Sequence, residues 1–104
     1  MDIALRKENW QYFKDQHPEA YQAYEALGKA IHERGPLTER ECYLIKVAVA
    51  AASQYEYALT SLVERALEAG CGRDEIEHAI LLTATTAGFP RMMTALLTYR
   101  NMPC

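Results

Sequence analysis

Apolar residues recur along this chain every three or four positions, which is the spacing of helices that bury one face. Glycine and proline mostly fall between these stretches, where helices begin or end. The pattern predicts helices over residues 3–16, 18–34, 38–53, 55–69 and 73–87, and a sixth helix from residue 90 onward. Strand-like alternation is not evident, so we expect an all-α fold in a single domain over residues 1–104.

The third predicted helix has the clearest start. Thr38 can cap its first turn while Glu41, three residues later, reaches back to the backbone of Thr38 in a capping box. From Tyr43 to Ala52 the one charged residue is Lys46. Because a helix that is apolar around most of its circumference belongs inside a bundle, we expect this helix at the centre of the fold, without a broad wet face.

The other helices each present a narrower apolar stripe toward the expected core. The candidate core residues are Leu5, Trp10, Phe13, Tyr21, Tyr24, Leu27, Ile31, Leu59, Leu62, Val63, Ala66, Leu67, Ile76, Ile80, Leu81, Ala84, Met93, Leu96, Leu97 and Tyr99.

Charge and composition exclude several classes of function. The net charge is -3 and acids and bases are interspersed, so no basic face can follow a phosphate backbone. The longest apolar run, residues 47–52, is far below the ~20 residues of a membrane-spanning helix, and the N-terminal residues lack the apolar core of a signal peptide. We therefore expect a cytoplasmic protein that binds neither nucleic acid nor membrane.

The cysteines are widely spaced and contain no C-x-x-C pair, which favours reduced thiols. Cys71 stands between glycines, close to a helix start and Arg73. It is either a reactive thiol or, the interpretation that we favour, an inert exposed one. Cys42 is expected within the third helix and Cys104 at a loose terminus.

Glu75 and His78 have the Glu-x-x-His spacing that places both side chains on one helix face, as in di-iron bundles. A metal site of that kind needs a second copy and two further glutamates, and the sequence has no recognisable set. We predict neither a metal site nor a cofactor.

Four segments follow one another in a specific order: LTERECYLIKVAVAAA, SQYEY, RALEAG and RDEIEHAILLTATTAGFP. From about Pro18 to its end the chain resembles the carboxymuconolactone decarboxylase family, which includes the AhpD-like alkylhydroperoxidases. The resemblance implies an AhpD-like bundle of about six helices that forms rings of three or six subunits. Two nearly all-apolar helices in so short a chain agree with assembly, because one small core cannot cover them.

The redox branch of that family carries a glutamate, a C-x-x-C pair and a histidine. Aligned on LIKVAVA and ALEAG, those positions are Tyr43, then Tyr55 and Ala58, then Leu62. All four differ from the redox pattern. Disulfide-based peroxide chemistry therefore does not carry over, since both the attacking and the resolving thiol are replaced.

The decarboxylase branch resembles this chain better in the A-G-F-P segment at residues 87–90. It usually has a histidine where Leu62 stands, and an acid that Glu56 approximates. Glu56 is either a general acid or base beside the family's pocket or an exposed first-turn acid favoured by the helix dipole. Tyr43 and Tyr55 either offer hydroxyls to a small carboxylate ligand or are packed aromatics.

These residues leave three functional hypotheses. In the first, the chain binds or turns over a small organic acid or lactone by acid-base chemistry, with Glu56, Tyr43 and Tyr55 as site residues; an active enzyme would then be a lyase. In the second it is a thiol peroxidase or disulfide reductase, which the missing cysteines oppose. In the third it is a non-catalytic oligomeric module whose pocket is filled by Tyr43, Tyr55 and Leu62. A cavity beside Glu56 and Tyr55 would favour the first.

Overall fold

The computed structural model describes residues 3–102, which form six α-helices, one 3-10 turn and no strand. The all-α prediction is confirmed for these residues, and Cys104 lies outside them. The helices are α1 (Ile3–Gln16), α2 (Pro18–Arg34), α3 (Glu39–Ser53), α4 (Glu56–Glu68), α5 (Arg73–Leu81) and α6 (Phe89–Arg100), and the 3-10 turn is Leu82–Thr85.

The chain forms two compact units, divided between Pro36 and Leu37. The first contains α1 and α2, and the second contains α3 to α6. A single domain over residues 1–104 stays a prediction.

In the first unit, α1 and α2 form a helical hairpin around one indole. The ring of Trp10 meets those of Tyr21 and Tyr24 edge-on, with centroid distances of 5.7 and 6.1 Å. No residue of α2 is buried, and Leu27 and Ile31 of its predicted core stripe are 57% and 59% exposed. The stripe exists, but its burial was predicted wrongly because α1 covers only part of α2.

In the second unit, α3 is central. The predicted capping box is confirmed: the Glu41 N–H donates to Thr38 Oγ1 over 3.1 Å, and the Thr38 N–H donates to Glu41 Oε1 over 2.8 Å. Helix α3 contacts α4, α5, α6 and the 3-10 turn. Its far side is nevertheless open, since Val49 is 59% exposed, so the expectation of no broad exposed face is wrong.

The core of the second unit is small. Its buried residues are Val47, Ala50, Ala51, Leu59, Val63, Ala66, Cys71, Ile76, Ile80, Met92, Ala95 and Tyr99. Leu81, Met93 and Leu97, which the pattern assigned to the core, are instead 42%, 46% and 60% exposed. Apolar periodicity identifies an apolar helix face, but the packing of neighbouring helices against that face decides how much of it is buried.

Helix α5 is shorter than its predicted extent to residue 87. After Leu81 the chain tightens into the 3-10 turn, and the Thr83 hydroxyl donates to the Ile80 carbonyl over 2.7 Å. The Thr83 carbonyl then accepts the N–H of Ala87 over 2.7 Å. Threonine hydroxyls compete for backbone groups and threonine is β-branched, so the T-A-T-T segment ends the α-helix early.

Helix α4 ends in a Schellman turn at the predicted glycine. Gly70 has a φ of 96°, and the N–H of Cys71 donates to the Ala66 carbonyl over 2.9 Å. The turn directs Cys71 back to the core, where it is 4% exposed. The expectation of an exposed thiol at this position is therefore wrong.

The turn from α3 to α4 has the same form without glycine. Gln54 has a φ of 61°, the one positive value at a non-glycine among residues 3–102, and the Tyr55 N–H donates to the Ala50 carbonyl over 3.1 Å. Left-handed backbone is strained for a residue with a Cβ. The Gln54 side-chain amide offsets the strain by donating to the carbonyls of Ala51 and Arg91 over 2.9 and 3.0 Å.

Hydrogen bonds of the Glu75 side chain join the starts of α3 and α5. Glu75 Oε1 accepts the Gly72 N–H over 2.7 Å and Arg40 Nη2 over 2.6 Å. These contacts, the Gly72 N–H first and Arg40 second, lower the pKa of the Glu75 carboxyl. Beneath them the Cys71 thiol donates to the Arg40 carbonyl over 3.6 Å.

Substitutions at Gln54 should separate strain from hydrogen bonding. Gln54→Ala keeps the left-handed strain and loses both side-chain bonds, so we expect a loss of about 1–2 kcal/mol in the free energy of unfolding. Gln54→Gly loses the same bonds but relieves the strain, so it should be more stable than the alanine variant by about 1 kcal/mol. Urea unfolding followed by circular dichroism measures both values, and an alanine variant as stable as the glycine variant would contradict the role of strain.

The contacts of Glu75 predict a pH dependence of stability. Because its pKa is lowered in the folded state, its contribution is fully present above the unfolded pKa of about 4.3 and is lost as the pH falls through the folded pKa. The Tm of Glu75→Gln should therefore lie below that of the unmodified chain at pH 7, and the gap should narrow below about pH 4. Glu77→Gln, an exposed acid on the same helix, is the control. A gap that does not change between pH 7 and pH 3 would refute this interpretation.

Candidate functional site

A small cleft lies where the end of α3, the start of α4 and the middle of α6 meet in the second unit. Its volume is about 80 Å³. We call it the helix-end cleft. The lining residues are Ala50, Ala51, Gln54, Tyr55, Glu56, Leu59, Thr94, Ala95 and Thr98.

The cleft exists because three of its buried lining residues are alanines. Ala50 and Ala51 on α3 and Ala95 on α6 are 3%, 0% and 3% exposed, and each contributes only a methyl group to the wall. Leu59, also buried, is the one large aliphatic side chain of the lining. The inner part of the cleft is therefore apolar and narrow.

The mouth of the cleft is polar. Tyr55 occupies the N-cap position of α4 without a side-chain cap, and Glu56 is the first helical residue. Both side chains are exposed, Tyr55 to 66%. The backbone N–H groups of the first turn of α4 point toward this end of the helix, which is the positive end of its dipole. A phenol, a carboxylate and uncapped N–H groups therefore lie at one opening.

The structure brings two of the three predicted site residues together. Tyr55 and Glu56 line the helix-end cleft, but Tyr43 is not among the lining residues. Tyr43 lies on α3 eight residues before Ala51, about 12 Å along the helix axis, and packs half-buried against the core. Leu62 also packs against the core.

Sequence reasoning did not identify Gln54, Thr94 or Thr98 as lining residues. In the sequence Gln54 was recognised only as a polar residue that interrupts the apolar run of α3. The sequence did not predict its left-handed backbone, with a φ of 61°. Thr94 and Thr98 lie one turn apart on α6, and their spacing resembles that of ordinary polar residues on an exposed face. No local signal connects them with Tyr55.

Arg91 also lies beside the cleft without a sequence signal. Its guanidinium Nη1 donates to the Ala52 carbonyl over 3.0 Å, while its own carbonyl accepts the Gln54 amide. The two bonds join the end of α3 to the start of α6.

The described thiols lie away from this site. Cys42 is half-buried and Cys71 is buried, and neither lines the helix-end cleft. Cys71 is instead covered by the start of α3, where its Sγ donates to the Arg40 carbonyl. Residues 3–102 therefore offer no exposed thiol pair that could attack a peroxide and then close a disulfide.

The Glu75–His78 pair forms no larger cluster. Within residues 3–102 no three His, Cys, Asp or Glu side chains come close enough together to hold a metal ion. Glu75 is engaged with Gly72 and Arg40 instead. The same part of the chain contains no helix that is both long and apolar enough to cross a membrane.

Of the comparisons with known proteins, the one with protein families identifies this chain. A comparison with curated proteins gave no match. The model of the carboxymuconolactone decarboxylase family matches residues 18–99, which run from the first residue of α2 almost to the end of α6. The resemblance seen in the sequence is thereby confirmed, and the chain belongs to the carboxymuconolactone decarboxylase family.

Proposed function

We propose that this chain uses the helix-end cleft to bind a small organic acid or lactone, and to turn it over by acid-base chemistry. The observation that supports this most directly is the opening that remains beside Tyr55 and Glu56. Tyr55 stands where the redox branch has a cysteine, so the opening coincides with the reactive region of related proteins. Its exposure argues against a pocket that Tyr55 has filled.

The size of the cleft limits the ligand. Sites for drug-sized molecules are about 300–1,000 Å³, whereas this one is about 80 Å³. A carboxylate group or the carbonyl end of a lactone fits that space better than a whole large molecule. The rest of such a ligand would extend through the polar mouth, past Tyr55.

The groups at the mouth are suited to proton transfer. A carbonyl oxygen could accept hydrogen bonds from the Tyr55 hydroxyl and from first-turn N–H groups of α4. Glu56 would then remove a proton from the carbon beside the carbonyl, and the electron pair left behind would be delocalised onto the carbonyl oxygen. The same donors would stabilise that negative charge. The enolate would then expel a leaving group from the β carbon together with its bonding electrons, which forms a carbon–carbon double bond, and Glu56 would give its proton to that leaving group. Such an elimination is a lyase reaction.

Tyr43 belongs to this proposal in a lesser role. It does not line the cleft, so we assign direct ligand contact to Tyr55 and Glu56. The predicted contact between the Tyr43 hydroxyl and a ligand is tested with Tyr43→Phe.

A cytoplasmic location also remains a prediction.

A non-catalytic oligomeric module is the second candidate, and the exposed apolar surface of the second unit favours it. Val49 on α3 and Leu97 on α6 are 59% and 60% exposed, and Phe89 on α6 is 61% exposed. Large apolar side chains left exposed on so small a unit favour an interaction with another protein surface. We therefore propose that the chain forms a homo-oligomer, whether or not the cleft is catalytic. The resemblance to the carboxymuconolactone decarboxylase family implies a trimer or a hexamer.

A thermal-shift screen tests the ligand proposal. Acetate, succinate, levulinate and γ-butyrolactone are suitable probes, and we expect at least one to raise the Tm of the unmodified chain. Tyr55→Phe should weaken that ligand several-fold, because one hydrogen bond is lost. Glu56→Gln should change ligand affinity little but reduce any turnover about 10²–10⁴-fold, because it removes the base.

Two matched variants control this screen. Glu68→Gln changes an exposed acid at the far end of α4 and should leave both binding and turnover unchanged. Tyr43→Phe should also leave binding unchanged, and a loss equal to that of Tyr55→Phe would bring Tyr43 into the site. If no probe shifts the Tm, and Glu56→Gln is as stable as the unmodified chain, the non-catalytic module is the better description.

Light scattering after size-exclusion chromatography tests assembly. We expect a mass three or six times the 11.8 kDa of one chain. Val49→Lys or Leu97→Lys should lower that mass, because a charge would enter an apolar contact while the single chain keeps its core. Glu77→Lys, a change at an already polar exposed position, is the control. A monomer at micromolar concentration would refute the assembly proposal.

A further inference from the structure

An open cleft lies in the first unit, and none of its lining residues lines the helix-end cleft. It has a volume of about 510 Å³, within the range of small-molecule sites. We call it the aromatic cleft. Its lining residues are Asn9, Trp10, Tyr12, Phe13, His17 and Tyr24.

The aromatic cleft is formed mainly by sequence outside the family match. Five of its six lining residues precede residue 18, where the match to the family begins. Helix α1 supplies four of them, and His17 joins α1 to α2. The properties of the family therefore do not account for this cavity, and it needs a separate explanation.

Packing of the hairpin explains some of these rings but not all of them. Trp10 is half-buried, with Phe13 at a centroid distance of 5.7 Å and Tyr21 edge-on at 5.7 Å. These contacts hold the indole in place. Tyr12 and Tyr24, however, are 61% and 58% exposed, although Tyr24 also meets the Trp10 ring edge-on at 6.1 Å. Two large aromatic rings thus remain accessible in the same cleft that the half-buried indole of Trp10 lines.

The charges of the lining restrict what the cleft can recognise. Asn9, His17 and the two tyrosine hydroxyls supply hydrogen-bonding groups at its edge. The lining contains no carboxylate, which a cation site would use, and no lysine or arginine, which an anion site would use. The combination fits a ligand that is flat, uncharged and polar only at its edge.

We propose that the aromatic cleft binds a neutral planar aromatic molecule that carries a hydroxyl or carbonyl group. Such a ring would stack against the aromatic side chains of Trp10, Tyr12 and Tyr24, while its polar edge would meet Asn9 or His17. This site is separate from the helix-end cleft, and binding at one does not require the other.

The chain offers a direct reporter of this binding. Trp10 is its one tryptophan, so the indole N–H gives one side-chain signal in a nitrogen-proton NMR spectrum. The probe is 2-naphthol, a planar aromatic alcohol. Its controls are decahydro-2-naphthol, which has the same carbon skeleton without planarity, and tetramethylammonium, a cation. We expect 2-naphthol to shift the Trp10 signal saturably, and both controls to bind at least about fivefold more weakly.

Substitutions locate the bound probe. Tyr12→Ala and Tyr24→Ala should each weaken 2-naphthol about fivefold, since each removes one stacking ring. Both side chains are mostly exposed, so these variants should fold, which circular dichroism checks. Tyr55→Ala and Phe89→Ala remove exposed aromatic rings of the second unit and should leave the affinity unchanged.

Three results would overturn the proposal. Equal affinity for the planar and the saturated alcohol would mean a non-specific apolar surface. Tighter binding of tetramethylammonium would mean a cation site. A loss of binding in Tyr55→Ala, without a loss in Tyr24→Ala, would place the probe in the helix-end cleft. That last result would leave the proposed function standing, whereas a failed acid and lactone screen leaves the aromatic cleft untouched.

Discussion

The second unit depends on the left-handed turn at Gln54. A residue with a Cβ is strained at a φ of 61°, and this one is held by bonds from its amide to the Ala51 and Arg91 carbonyls. Arg91 returns a bond to the end of α3. The end of α3 and the starts of α4 and α6 are therefore fixed together, and the helix-end cleft is the space left between them. The position of Tyr55 beside this cleft therefore depends on the strained turn at Gln54.

The chain belongs to the carboxymuconolactone decarboxylase family, and neither of its described thiols lines the helix-end cleft. The Schellman turn at Gly70 carries Cys71 into the core, where its thiol bonds to the Arg40 carbonyl. That thiol supports the junction of α3 and α5 and does not face the cleft. At the start of α4 stand a phenol and a carboxylate, Tyr55 and Glu56, and these groups are suited to proton transfer. The first unit adds aromatic groups that the family match does not cover.

Local signals were reliable where a few neighbouring residues decide the outcome. The Thr38 capping box, the start of α2 at Pro18 and the glycine after α4 all appear as predicted. The failures were of another kind. Residues 82–85 read as a continuation of α5 because their apolar spacing outweighed the threonines in the prediction. Leu97 was expected in the core because it belongs to an apolar helix face. Helix α6 instead packs into the core through Met92, Ala95 and Tyr99, which leaves Leu97 60% exposed.

The sequence by itself determined the helices, most of their ends and the family, because caps, breakers and periodicity act over one or two turns. Only the tertiary structure decided which apolar residues are buried, since that depends on surfaces far away along the chain. It also decided that Tyr55 and Glu56 share a cleft with Thr94 and Thr98, whereas Tyr43 does not. Side chains about 40 residues apart meet there because the Gln54 turn and the Arg91 bonds bring their helices together.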